Sequence, residues 1–135
     1  MIIQRTVDVY CGFYDFGVSG GAIGTIDLQV PIPQNTILTE FGVVVKTAPL
    51  SGGLATISFD TLLTSVSPNV LVVGALIPAT AIAVFSLGAV VIGIVDPTAP
   101  LNNGPFNLSI AMSIAAFALT TGQLQFYAKG ISFDF

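Results

Sequence analysis

Carboxylates are the side chains of this sequence that could most readily do chemistry, because the chain has no histidine and a single cysteine. Paired carboxylates can act as general acid and base, but the seven acids lie singly, mostly on polar strand faces or at strand ends. They are Asp8, Asp15, Asp27, Glu40, Asp60, Asp96 and Asp134. Histidine is the usual base near neutral pH and the most common transition-metal ligand. We therefore predict no catalytic residue, no cofactor and no metal, and a protein that is not an enzyme.

Two loops place an acid near other oxygen-bearing side chains and are the candidates for calcium. Asp15 is close to the turn at Gly17, and Asp96 precedes Asn102 and Asn103. Calcium takes roughly six to eight oxygen ligands, which neither loop supplies. We interpret both acids as turn formers.

Cys11 cannot form an internal disulfide, so nothing indicates an oxidising compartment. Its neighbours Tyr10, Gly12 and Phe13 offer no base or positive charge that would activate the thiol. Because free cysteine is among the most buried residue types, we predict that Cys11 is a small buried side chain.

The composition predicts one domain whose surface is unusually poor in charge. The chain has 135 residues, of which 53% are hydrophobic and 7% charged, and its net charge is -4. Globular proteins carry about a quarter charged residues, so lipid or neighbouring protein must cover much of this surface. The three cations, Arg5, Lys46 and Lys129, are too few and too scattered to neutralise phosphates, and nucleic acid is not a predicted partner.

A membrane is the less favoured cover. Nothing charged occurs between residues 61 and 95, a stretch long enough to cross a bilayer. Proline and glycine interrupt it every few residues, and its β-branched residues favour strands. No Lys or Arg lies near either end to fix an orientation. Polar residues at Gln4, Arg5 and Asp8 leave no room for a signal-peptide core, so we expect synthesis in the cytoplasm.

The first strand that must carry such residues is marked by alternation. The side chains predicted to face inward are Ile3, Val7, Val9, Cys11 and Phe13. Arg5 interrupts that face. Because an isolated buried charge is costly, we expect Arg5 to pair with a carboxylate, across a subunit boundary.

Further segments alternate in the same way. Inward positions are predicted at Ile26, Leu28, Val30 and Ile32, at Ile37, Phe41, Val43 and Val45, at Ala55, Ile57 and Phe59, at Leu108, Ile110, Met112 and Ile114, and at Leu124, Phe126 and Ala128. The continuous apolar runs 70–77 and 89–95 are typical of strands buried on both faces. A parity change at Gly130 predicts a β-bulge in the last strand.

Turn residues between these segments determine the predicted fold class. Eight or nine short antiparallel strands without a confident helix predict an all-β protein, a single jelly-roll-like β-sandwich over residues 1–135. Residues 96–105 form a loop by composition. The aromatic end, residues 130–135, is a candidate docking tail.

Aromatic residues gather near both ends of the sequence. They could form a stacking platform for sugars, but aromatics are also enriched in subunit interfaces, which we favour. The predicted interface residues are Arg5, Tyr10, Phe13, Tyr14, Phe16, Tyr127, Phe133 and Phe135.

Five segments carry turn and strand signatures of one family. They are Gly20 to Leu28, Pro33 to Thr39, Thr47 to Ile57 with its Ser-Gly-Gly-Leu-Ala-Thr-Ile, Ile77 to Ala83, and Ala118 to Gly122. Over most of the chain they resemble small structural proteins of bacteriophage virions. The resemblance implies a capsid, decoration or spike subunit with a jelly-roll-like sandwich, and it carries over no functional residue.

The leading hypothesis is a virion structural protein, made in the host cytoplasm, that assembles with itself as a homotrimer and with other capsid proteins. One alternative is a tail or receptor-binding appendage that recognises host glycan. Such a binder should expose Tyr10, Tyr14 or Tyr127 in a groove, whereas a shell protein should bury them against neighbours. A further alternative is a membrane-associated protein of an internal-membrane virus.

Overall fold

A computed structural model describes residues 4–33, 36–63, 70–93 and 108–134. Eight strands run through these residues, with one short helix and one 3-10 turn. The strands are β1 (Gln4–Asp15), β2 (Gly24–Asp27), β3 (Thr36–Ser51), β4 (Thr56–Leu63), β5 (Val70–Ala81), β6 (Val90–Gly93), β7 (Leu108–Ala115) and β8 (Leu119–Asp134). The helix α1 covers Phe16–Ser19, and the 3-10 turn covers Ile82–Val84.

The strands form two four-stranded antiparallel sheets. Sheet A has the order β1-β8-β3-β6, and sheet B has the order β2-β7-β4-β5. Strands that are adjacent in the chain mostly belong to different sheets, which is the double Greek-key arrangement of a jelly roll. The predicted all-β, jelly-roll-like sandwich is therefore confirmed. No helix among the described residues is long and apolar enough to cross a membrane.

Three phenylalanines join the two sheets at the centre of the core. The ring centroids of Phe41 and Phe59 are 5.2 Å apart, and the Phe126 ring lies 5.8 Å from Phe41 and 6.0 Å from Phe59. Tilted aromatic pairs at such distances are favourable beyond their apolar burial. The predicted inward faces of β4, β7 and β8 are confirmed, since Ile57, Phe59, Ile110, Met112, Ile114, Leu124, Phe126 and Ala128 are all buried.

The predicted inward face of β1 is wrong. Val7, Val9 and Phe13 are 53%, 59% and 46% exposed, and Cys11 is exposed as well. The even-numbered side faces the core instead, where Tyr14 is fully buried. Gly12 explains this choice, because a Cβ at that position would collide with the Phe126 ring. The prediction for Ile3 falls outside the described residues.

The β-bulge lies in β3, not at Gly130 of β8. Leu38 pairs with Gly130 and Glu40 with Lys129, so Thr39 is the extra residue. The pairing of β8 with β1 runs through Gly130 without a shift. A one-residue bulge reverses the faces before it, and Ile37, predicted to point inward, is 38% exposed.

The apolar runs in the middle of the chain are not buried on both faces. Val90 and Ile92 of β6 are 60% and 57% exposed, and Val73 of β5 is 63% exposed. β5 and β6 are edge strands of their sheets. Within the described part of the chain, each therefore buries one face and leaves apolar side chains on the other.

Candidate assembly surfaces

The outer side of sheet A, here called the sheet A face, is built by the outward residues of four strands. Strand register lays them out in rows, for example Phe13, Gln125, Val44 and Val90, or Cys11, Tyr127, Gly42 and Ile92. Polar residues of β8 and β3 occupy the middle of each row. Apolar residues of β1 and β6 occupy the margins.

The polar middle contains a fixed tyrosine. The Tyr127 ring lies over Gly42, where a Cβ would collide with it. Its hydroxyl donates a hydrogen bond of 2.7 Å to Oε1 of Glu40. This hydrogen bond, followed by desolvation and the Glu40 charge, raises the pKa of Tyr127. Lys129 is the neighbour of Glu40 in the β3–β8 register. The middle of the face is thus polar, hydrogen-bonded and close to neutral.

The margin on β1, here called the β1 stripe, consists of Val7, Val9, Cys11 and Phe13. These outward residues form an apolar row along an edge strand of twelve residues. The opposite margin consists of Val90 and Ile92 of β6. Burying such side chains is favourable by roughly 25 cal/mol per Å² of apolar surface. The margins therefore offer the sheet A face an energetic reason to be covered.

A second apolar surface closes one end of the sandwich. The exposed residues of this apolar tip come from the connections β1–β2, β3–β4, β5–β6 and β7–β8, and are Val18, Ile23, Leu54, Val84 and Phe117. Main-chain hydrogen bonds hold these connections together, from Ile82 N to Ala55 O at 3.2 Å and from Leu119 N to Gly21 O at 2.7 Å. The tip is thus a joint product of four segments.

The outer side of sheet B holds two acids in one row. Asp27 and Asp60 are both register partners of Ala111 of β7. Ser109 Oγ donates to Asp27 Oδ1 at 2.9 Å, and Ser113 Oγ donates to Asp60 Oδ2 at 2.5 Å. Asp27 is exposed.

Asp60 is fully buried, which the sequence-based interpretation of a solvated acid missed. Its Oδ1 accepts a 2.7 Å hydrogen bond from the amide of Gly74. Gly74 has φ +74° and lies where the register between β4 and β5 shifts. A buried carboxylate is tolerated when it is hydrogen-bonded, so Asp60 fixes the irregular part of β5 onto sheet B. Alternation alone could place Asp60 outward but could not reveal what covers it.

The described residues contain no group of three or more His, Cys, Asp or Glu side chains that could hold a metal ion. Asp15 forms a turn, because its Oδ1 accepts a 2.9 Å hydrogen bond from Gly17 N and caps α1. The second calcium candidate, Asp96 with Asn102 and Asn103, lies outside the described residues.

The structure separates the predicted interface residues. Phe13 and Tyr127 lie on the sheet A face, and Arg5 and Phe133 are register partners at one end of β1 and β8. Three aromatics face the sandwich interior: Tyr14 is buried, while Tyr10 and Phe16 pack partly buried against the core. Phe135 lies outside the described residues. Residues 130–134 belong to β8, and whether this end docks on another subunit stays a prediction.

Sequence reasoning missed the exposed valines of β1 and the residues of the apolar tip. Alternation was visible in β1, but it cannot say which of its two faces meets the core. The tip residues belong to four separate turns, so nothing in the order of the sequence brings them together.

The fold of this chain is similar to that of chains in three solved capsid structures. The first is the acid-stable capsid of Helicobacter pylori bacteriophage KHP30, with a TM-score of 0.61, 10% identity, and 98% of this chain and 97% of that chain covered. The capsid of Ralstonia phage GP4 matches with a TM-score of 0.57 and 17% identity over 93% and 84%. The capsid asymmetric unit of cyanophage Pam1 matches with a TM-score of 0.54 and 14% identity over 95% and 86%. Neither a family model nor a curated protein matches the sequence.

Proposed function

We propose that this chain is a structural protein of a bacteriophage virion, a capsid-associated subunit of decoration, minor capsid or spike type and not an enzyme. One observation carries the proposal: nearly the whole chain shares its fold with chains of three phage capsid structures, and each of those chains is itself covered by at least 84%. The likeness thus concerns a complete subunit fold and not a shared fragment.

The surface supports assembly. The margins of sheet A and the apolar tip leave many large apolar side chains exposed on the single chain. Extended apolar patches on a protein surface mark interaction sites, and charged residues are depleted in interface cores. We expect the partners to be further copies of this chain and other capsid proteins, with neither nucleic acid nor a membrane among them.

The finer form of the proposal is a homotrimer around the apolar tip. A closed cyclic assembly places the same part of every subunit near the axis. Three tips around one axis would remove Leu54 and Phe117 from water together, and a trimer matches the local threefolds of an icosahedral shell.

The test is the mass of the purified chain in solution, measured by light scattering over a wide concentration range. The proposal expects three chains or a multiple of three. A chain that remains a stable monomer at every concentration would contradict assembly, and a stable dimer alone would contradict the trimer. Addition to particles that lack the protein, followed by sedimentation, then tests capsid association.

A second candidate function, glycan recognition by a tail or receptor-binding appendage, is favoured by Tyr127. This aromatic ring is partly exposed beside a carboxylate on the sheet A face, whereas Tyr10 and Tyr14 are turned towards the core. Binding to a panel of host-surface glycans that is lost in Tyr127→Ala would favour this function. A chain that binds none of them leaves the capsid-associated role as the better account.

A further inference from the structure

We propose that two copies of this chain pair edge to edge along β1, antiparallel about a two-fold axis, so that their sheets A become one continuous eight-stranded sheet. The inference rests on the proposed self-assembly and names one contact that carries it. It would be the link between one trimer and the next, since the apolar tip lies elsewhere on the fold.

The edge of β1 is open and regular. β1 pairs with β8 over twelve consecutive residues, from Gln4 opposite Asp134 to Asp15 opposite Gln123, without a register shift. No described strand pairs with its other edge. Exposed edges usually carry a bulge, a proline or a short strand that prevents pairing with another chain. β1 has no bulge and no proline.

The other three edges in the described part of the chain are protected in those ways. β2 and β6 have four residues each. β5 shifts its register against β4 twice. β1 is therefore the described edge that is fit to accept a long partner strand.

The β1 stripe supports a partner of the same kind. Val7, Val9 and Phe13 are each about half exposed on the outer side of the sheet, although they lie beside an open edge. A second β1 would place its own stripe next to this one and continue the apolar row across the junction. A two-fold contact uses the same patch on both subunits, so it requires a self-complementary strand.

The charges of β1 are self-complementary in one register. When Tyr10 lies on the two-fold axis, Arg5 of each copy stands opposite Asp15 of the other, and opposite charges on directly facing residues stabilise a sheet. The same register sets Asp8 opposite Gly12, so the one further acid of β1 meets the smallest residue.

Neighbouring registers lose this match. An axis at Val9 sets Arg5 opposite Phe13, and an axis at Cys11 sets Asp15 opposite Val7. An axis at Asp8 would set two acids face to face, which is unfavourable. Charge therefore selects the register centred on Tyr10, in which Val9 stands opposite Cys11 and Val7 opposite Phe13.

Disulfide trapping reads this register directly, because the chain supplies one exposed thiol. Directly opposite residues have Cα atoms about 4.5–5.5 Å apart, within the range that a disulfide spans. Diagonal neighbours lie roughly 7–8 Å apart, which is too far without backbone movement. In the variant Val9→Cys each new thiol faces Cys11 of the second copy, whereas two Cys11 thiols of the wild type are diagonal neighbours.

The experiment exposes wild type, V9C, V7C and V18C to a mild oxidant and measures the covalent dimer on a non-reducing gel. V18C is the matched control, because Val18 is 85% exposed in α1, away from the β1 edge. We expect V9C to form dimer many times faster than the other three, reversibly on addition of a reductant. Adding R5E to V9C sets two acids opposite each other and should slow the reaction several-fold.

Each other outcome overturns the pairing. Fastest dimer formation by V7C would place the axis at Val9, and fastest formation by the wild type would place it at Cys11. If V9C reacts no faster than V18C in a preparation whose mass shows an oligomer, the β1 contact is wrong while the proposed function stands. A monomeric mass together with no preferential dimer contradicts both.

Discussion

The hydroxyl of Tyr127 donates a 2.7 Å hydrogen bond to Oε1 of Glu40 and so joins β8 to β3 at the middle of the sheet A face. A phenol beside a carboxylate holds its proton more firmly, and the pKa of Tyr127 is raised chiefly by this bond. The pair keeps the middle of the face polar without a free charge at the tyrosine. It also makes this tyrosine a reporter of the face.

Glu40→Gln should lower the pKa of Tyr127 towards the ordinary value of about 10. Because the folded pKa lies above the unfolded one, the bond stabilises the fold below about pH 10, and this contribution is lost as the pH rises through the folded pKa. Ultraviolet titration of phenolate, with Tyr127→Phe subtracted to isolate the signal, measures the shift. Tyr14, whose pKa is raised by burial and by Asp15, should titrate unchanged. An unaltered Tyr127 titration in Glu40→Gln would contradict the assigned cause.

Asp60→Ala should lower the free energy of unfolding by about 3 kcal/mol, because it leaves Gly74 N and Ser113 Oγ without their acceptor in a buried site. The matched control is Asp27→Ala, which removes an exposed acid from the same row and should cost less than about 1 kcal/mol. Urea denaturation monitored by tyrosine fluorescence gives both values. Equal losses in the two variants would show that burial does not distinguish the acids.

Tyr10 and Tyr14 should respond in opposite directions to removal of the hydroxyl. The Tyr10 hydroxyl is buried without a hydrogen-bond partner, so Tyr10→Phe should leave stability unchanged or raise it by about 1 kcal/mol. Tyr14 donates to Gly20 O at 2.5 Å, so Tyr14→Phe should lower stability by about 1 kcal/mol. Thermal and urea unfolding compare the two. Destabilisation by Tyr10→Phe would show that its hydroxyl is satisfied in solution.

Leu54→Ser should dissolve the proposed trimer while leaving the fold intact. Leu54 is 88% exposed on the single chain, and substitutions at such surface positions usually change stability by less than about 0.5 kcal/mol. Light scattering should show the mass fall to that of smaller species. Val73→Ser, on the edge strand β5 and 63% exposed, is the control and should keep the trimer. A trimer that survives Leu54→Ser would place the threefold contact elsewhere.

Local patterns were sufficient for the strands and for most of the core. Alternation identified the inward residues of β4, β7 and β8, because a period of two is imposed by the strand itself. The same pattern failed for β1, where the more apolar side faces outward. The choice between its faces depends on Phe126, a residue more than a hundred positions away that needs the space left by Gly12.

The candidate surfaces were less accessible from the sequence. Phe13 and Tyr127 were predicted and do lie on the sheet A face, but Tyr14 was predicted with them and is buried in the sandwich. Asp60 carries no local sign of burial, because the residues that hold it come from β5 and β7.

By itself, the sequence determined that the protein is an all-β chain with scarce charge and with no histidine to support catalysis, since composition and period two are local properties. Only the tertiary structure decided which apolar residues remain exposed. Strand order makes β1 an edge, the bulge at Thr39 turns Ile37 outward, and four separate turns meet to form the apolar tip. Each of these depends on contacts between distant segments, and it is these contacts that convert low charge into specific surfaces for assembly.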